Sequence, residues 1–135
     1  EPRRLPSVPP SQHLHLGFID TADEHDAHAP KAEHIAHVLS WSAALPSDAR
    51  LVLHCLAGES RSTAIALGLL ATALPPESAV DLLEQIRPQA DPNPLVIRHF
   101  DQALSLNGAL IAATHRFSFA AFLGEASGKR RKDRS

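Results

Sequence analysis

From His13 to Ile19 (HLHLGFI) apolar and polar positions alternate, with Leu14, Leu16 and Phe18 on one side. A period of two predicts a strand with one buried face. Residues 20–29 (DTADEHDAHA) carry no apolar period and predict a polar loop. Pro30 suits the first turn of a helix, and Ala32, Ile35 and Leu39, flanked by Val38 and Leu45, follow at helical spacing until Pro46, Ser47 and Asp48. Leu51, Val52 and Leu53 are apolar without alternation, which predicts a short strand buried on both faces. From Arg61 to Leu74 nearly every residue is small or apolar, the composition of a helix buried on most sides. Pro75 and Pro76 break the chain. Ala79, Leu82, Leu83 and Ile86 then repeat at helical spacing up to Pro88. Residues 88–94 form a turn-rich loop. Asn93 predicts an N-cap and Pro94 a first-turn residue for a helix bearing Val96, Phe100, Ala103 and Leu104, closed by Asn107 and Gly108. A last amphipathic helix is predicted over 109–123, with Leu110, Ala113, Phe117 and Ala121 on one side.

Strand, loop, helix, strand is one right-handed β-α-β crossover when the two strands are parallel. The predicted fold class is therefore α/β: a central, mostly parallel sheet flanked by helices. The loop after Leu53 joins its buried strand to its buried helix. Residues 13–123 make one domain. Before it, residues 1–12 hold four prolines and predict an extended arm. After it, residues 124–135 (GEASGKRRKDRS) lose all periodicity and predict a disordered basic tail. Phe119, Phe122 and Leu123 would leave an apolar surface on the last helix, suited to core packing or to self-association.

Composition narrows the classes. A chain of 135 residues is long enough for one domain with a core, and a formal charge of −2 implies neither a nucleic-acid nor a membrane partner. No apolar run reaches spanning length and none resembles a signal peptide. One cysteine, Cys55, excludes an internal disulfide and fits a reducing, cytoplasmic setting with a reactive thiol. The chain has no methionine and begins at Glu1, which predicts further sequence before it.

The chemistry concentrates in Arg50–Ala66, RLVLHCLAGESRSTAIA. Strand, tight loop and helix N-terminus would gather unpartnered backbone N–H groups and partial positive charge around one point. Such a point binds an anion and stabilises a thiolate. Gly58 gives the loop conformational freedom. Arg61 supplies a planar two-pronged donor that fits two oxygens of a phosphate. A nucleophile, a cradle and a clamp in one loop are the parts needed to transfer a phosphoryl group to sulfur.

The string HCLAGESRS resembles the signature loop of cysteine-dependent protein tyrosine phosphatases: His-Cys, five residues, then Arg and Ser or Thr. It is most similar to the dual-specificity-like branch and its small bacterial relatives. PNPLVIRHFDQAL resembles, more loosely, the Pro-Asn-led helix that follows that loop. The resemblance covers about residues 13–107. Family members usually lay down further strands before that point, so the resemblance implies a sheet truncated at its N-terminus.

It implies a phosphoric monoester hydrolase working through a phosphocysteine, with no metal and no cofactor. Cys55 would attack phosphorus. Backbone N–H groups of Leu56, Ala57, Gly58, Glu59, Ser60 and Arg61, with the Arg61 guanidinium, would hold the phosphoryl oxygens. Ser62 would hydrogen-bond the sulfur, His54 would orient the loop, and Asn93 would support it. A general acid is expected upstream on a separate loop. Asp20 follows the predicted first strand and is favoured; Asp23 and Asp26 lie on the same loop and stay open. Substrates would be a phosphorylated protein or a small phosphate monoester. Glu59 and the lack of a loop lysine disfavour multiply phosphorylated inositols. No tyrosine and one tryptophan leave no evident aromatic wall for a phosphotyrosine ring.

Other readings compete. His25, His28, His34 and His37 lie close in sequence, but Glu33-His34-x-x-His37 is not the His-Glu-x-x-His zinc order, so solvated histidines are expected. A rhodanese-type sulfurtransferase also uses a cysteine loop, and the His-Cys and Arg-Ser pairs argue against it. A non-catalytic phosphate-binding or regulatory module would keep the cradle and lack an acid within reach.

Overall fold

The computed structural model describes residues 14–46, 53, 59–117 and 119. Five α-helices follow one another: α1 (Ala32–Ala43), α2 (Arg61–Leu70), α3 (Pro76–Ile86), α4 (Pro94–Ala103) and α5 (Ala109–Ala113), with a 3-10 turn at Thr114–Arg116. Helix α4 lies against α1, α2 and α5, while α3 packs on α2 and α5.

The reason is visible in α4 itself. Leu95, Val96, Ile97 and Phe100 are all buried, so its apolar side faces several neighbours at once. Ile35 and Val38 come to it from α1, Ala64, Ile65 and Leu67 from α2, and Leu110 and Ala113 from α5. Each large side chain so buried contributes about 1.5–3 kcal/mol. Gly68 on α2 allows the closest approach: a Cβ there would meet the Phe100 ring at 2.3 Å.

Local signals explain the helix starts. The Asn93 side chain accepts hydrogen bonds from the N–H groups of Leu95 and Val96, and Pro94 occupies the first turn. Pro76 opens α3. Before α5, Asp101 is the cap at a distance: Oδ1 accepts from Gly108 N at 2.8 Å, and Oδ2 from Leu110 N at 2.9 Å and Ile111 N at 3.2 Å. Arg116 then ties the following turn to α3 through Glu77, Asp81 and Glu84.

The α/β expectation is overturned. Among the described residues there is no strand and no sheet; the protein there is helical. Residues 14–19 do alternate as predicted, with Leu14 and Leu16 packed on the core and Phe18 buried in it. Their buried face rests on helices, and the Ile19 N–H bonds to the His28 carbonyl at 2.8 Å instead of to a neighbouring strand. Alternation reports one-sided burial, and a helical surface satisfies it without a ladder. Leu53 is exposed at 38%, against the predicted strand buried on both faces; Leu51 and Val52 lie outside the described residues. The β-α-β crossover falls with the first of its two strands.

Smaller differences follow the same logic. Helix α2 stops at Leu70, and turns continue to Leu74. Helix α4 ends at Ala103, and Ser105, Asn107 and Gly108 take left-handed backbone between it and α5. The single helix expected over 109–123 ends at Ala113; Phe117 is extended and buried. Phe122 and Leu123, the arm at 1–12 and the tail at 124–135 lie outside the described residues. Among the described residues no helix is long and apolar enough to cross a membrane.

Candidate functional site

Arg61 is the first residue of α2, and Ser60 is its N-cap. A serine in that place ordinarily accepts a hydrogen bond from the first turn of the helix. Here it makes no such cap. Its hydroxyl instead donates to Asp20 Oδ1 at 2.7 Å. Thr63 folds its own hydroxyl back onto the Glu59 and Ser60 carbonyls, which stiffens the turn leading into α2.

Asp20 has a second donor. Asn93 Nδ2 reaches the same oxygen at 2.7 Å and also the Thr21 carbonyl at 3.0 Å. The backbone joins these pieces as well: Asp91 N donates to Glu59 O at 2.6 Å and Asn93 N to Ser60 O at 3.1 Å. The 20–31 loop is fastened to α4 further out, by the Arg98–Glu24 ion pair at 2.6 Å and by His99 Nε2 on the Pro30 carbonyl at 3.0 Å.

Arg61 points at the same segment. Its Nη1 donates to the Phe18 carbonyl, two residues before Asp20, at 3.2 Å. That bond uses one side of the guanidinium and leaves the Nε–Nη2 edge. Nε on that edge is buried with no hydrogen-bond partner. An unpaired buried donor is costly, by about 1–3 kcal/mol, and it is the group a bound oxyanion would satisfy.

The sequence-predicted residues fall into three groups. Asp20, Ser60, Arg61 and Asn93 are brought together, with Glu59 exposed beside them and Ser62 buried on the first turn of α2. Asp23 and Asp26 are not: Asp23 Oδ1 accepts from His25 N and Asp26 Oδ1 from His28 N, so both close their own turns. His54, Cys55, Leu56, Ala57 and Gly58 lie outside the described residues. Reading the sequence missed the Ser60–Asp20 bond, because nothing local links a helix-capping serine to a carboxylate 40 residues away. It did find Asn93, from its place before Pro94.

His34 and His99 serve the scaffold. His34 Nδ1 accepts from Lys31 N at 2.9 Å at the start of α1, and its ring lies 5.0 Å from that of Phe18. Burial lowers the pKa of His34 and of His99 below the usual histidine value. Among the described residues no group of three or more His, Cys, Asp and Glu could hold a metal ion.

No family model, no curated protein and no solved structure matches this chain.

Proposed function

We propose that the chain is a phosphoric monoester hydrolase that acts through a phosphocysteine, as its resemblance to the cysteine-dependent tyrosine phosphatases implies. The observation that supports this most is the convergence of Asp20 and Arg61. Two residues near the end of the motif, Ser60 and Arg61, hydrogen-bond the 18–20 segment. The aspartate expected to serve as acid is thereby hydrogen-bonded to Ser60, the residue next to the expected clamp Arg61.

In the first step the Cys55 thiolate attacks phosphorus and the ester oxygen departs with its electron pair. Asp20 gives that oxygen a proton. The Nε–Nη2 edge of Arg61 binds two oxygens of the phosphoryl group, and backbone N–H groups from Leu56 to Arg61 complete the cradle. In the second step water attacks the phosphocysteine, Asp20 takes a proton from that water, and inorganic phosphate and thiolate are released. The Ser62 hydroxyl would stabilise the departing sulfur. The substrate class is a phosphorylated protein or a small phosphate monoester, with Glu59 disfavouring more highly charged phosphates.

Turnover of 4-nitrophenyl phosphate and of an alkyl phosphate by wild type, Cys55→Ser and Asp20→Ala tests the reading. Cys55→Ser abolishes both activities. Asp20→Ala loses more on the alkyl ester, whose leaving group needs the proton more. A wild type that binds phosphate and never turns over would instead support a regulatory phosphate-binding module. Transfer of sulfur from thiosulfate would point to rhodanese chemistry.

A further inference from the structure

We propose that Asn93 is a positioning residue for Asp20, fixing the carboxyl group through one oxygen so that the proton is carried and delivered on the other. The inference rests on the reading of Asp20 as the general acid. Asn93 is fully buried, at 0% exposure. Its side chain faces two ways. Oδ1 accepts from Leu95 N at 2.9 Å and Val96 N at 3.2 Å, which caps α4. Nδ2 donates to Asp20 Oδ1 at 2.7 Å and to Thr21 O at 3.0 Å. All four hydrogen-bonding positions of the amide are thus occupied. The two helix N–H groups require the oxygen to face α4, so the NH2 group must face Asp20.

Capping alone does not require this residue. Serine, threonine or aspartate would accept the same two helix N–H groups. Only an amide also offers two donors on the opposite side, and those donors go to the acid and to the carbonyl of the next residue. The Asn93 backbone N–H bonds Ser60 O at 3.1 Å, so the same residue is tied to the turn that bears Arg61. One buried residue therefore sets three pieces against each other: the acid loop, the motif end and α4. With Ser60 on the same carboxylate oxygen, the plane of the Asp20 carboxyl group is fixed from two directions.

The test compares Asn93→Ser and Asn93→Thr with wild type, alone and combined with Asp20→Ala, on 4-nitrophenyl phosphate and an alkyl phosphate. Both substitutions keep an oxygen for the α4 cap and introduce no charge beside Asp20. Both remove the donor to Asp20. The expected result is a fall in kcat on the alkyl ester of roughly tenfold or more, as for a misplaced catalytic group. The aryl ester loses less, and KM moves little. In the Asp20→Ala background the Asn93 substitutions lower kcat no further. Equal losses on the two esters, or losses that multiply with that of Asp20→Ala, would overturn the inference and leave Asn93 a helix cap. If Asn93→Ser fails to fold, Asn93→Thr gives the same comparison. A wild type without Cys55-dependent turnover overturns the phosphatase reading and this inference together, which separates that outcome from a failure of Asn93 alone.

Discussion

Asp20 and Ser60 stand 40 residues apart in the chain, and the serine hydroxyl lies 2.7 Å from the carboxylate oxygen. The bond diverts Ser60 from capping α2, although it is the N-cap of that helix. The first turn of α2 is therefore left without its usual side-chain acceptor, beside an arginine whose Nε has none either. A buried guanidinium N–H without a partner is a donor that an anion could satisfy.

Replacing Arg61 with lysine tests the clamp. Lysine keeps the charge and loses the planar fork. We expect Arg61→Lys to lower kcat/KM on 4-nitrophenyl phosphate by about 100-fold or more, the scale of losing one well-placed donor to transition-state charge. Steady-state kinetics checks it. Near-normal turnover would mean that the Nε–Nη2 edge does not hold the phosphoryl group.

Gly68→Ala tests the packing that sets α2 against α4. The added methyl would run into three atoms of the Phe100 ring, which is itself fully buried. The expected cost is about 1–3 kcal/mol, read from urea denaturation. Adding Phe100→Leu should recover part of it. Because these helices also present Arg61 and Asn93, activity should fall in Gly68→Ala at temperatures where the fold is intact.

Asp101 holds the start of α5 with three backbone N–H groups while itself 3% exposed. Asp101→Ala strands those donors and should cost about 1–3 kcal/mol. Asp101→Asn retains one acceptor oxygen and should cost less. Denaturant titration of the two variants gives the order.

Acid should weaken the fold through His99 and His34. Burial is the leading cause of the lowered pKa of each, ahead of the neighbouring charges: Glu24, Arg98 and His34 around His99, and Glu33, Lys31 and His37 around His34. The unfolded chain then binds protons that the folded chain does not. Their contribution to stability is present above the ordinary value of 6.5 and is lost as pH falls through the lowered folded values. His99 Nδ1 is buried without a partner, and His34 Nδ1 already accepts the Lys31 N–H, so a proton on either has no good place. The urea midpoint should drop between pH 7.5 and pH 5, and His99→Gln should drop less. An equal drop in the variant would remove His99 from the account.

Helices were legible because their signals are local. Asn93-Pro94 and the helical spacing of Val96 and Phe100 each act within one or two turns. The strands were misread because Leu14, Leu16 and Phe18 show which side is buried, and not what lies against it. The last helix was drawn too long because Phe117 keeps an apolar period while its backbone is extended. In the site, the resemblance named Ser60, Arg61 and Ser62, and it offered three aspartates for the acid it implies. Only tertiary contact separates them: Asp23 and Asp26 bond their own turns, and Asp20 bonds Ser60 and Asn93.

The decisive measurement is chemical trapping of the intermediate. Asp20→Ala slows the attack of water on the second step, so rapid acid quenching of that variant with 4-nitrophenyl phosphate should leave a phosphate on the protein. Peptide mass spectrometry should place it on Cys55, and Cys55→Ser should show none. Release of nitrophenol by wild type with no phosphate ever found on Cys55, or with equal release by Cys55→Ser, would contradict the account.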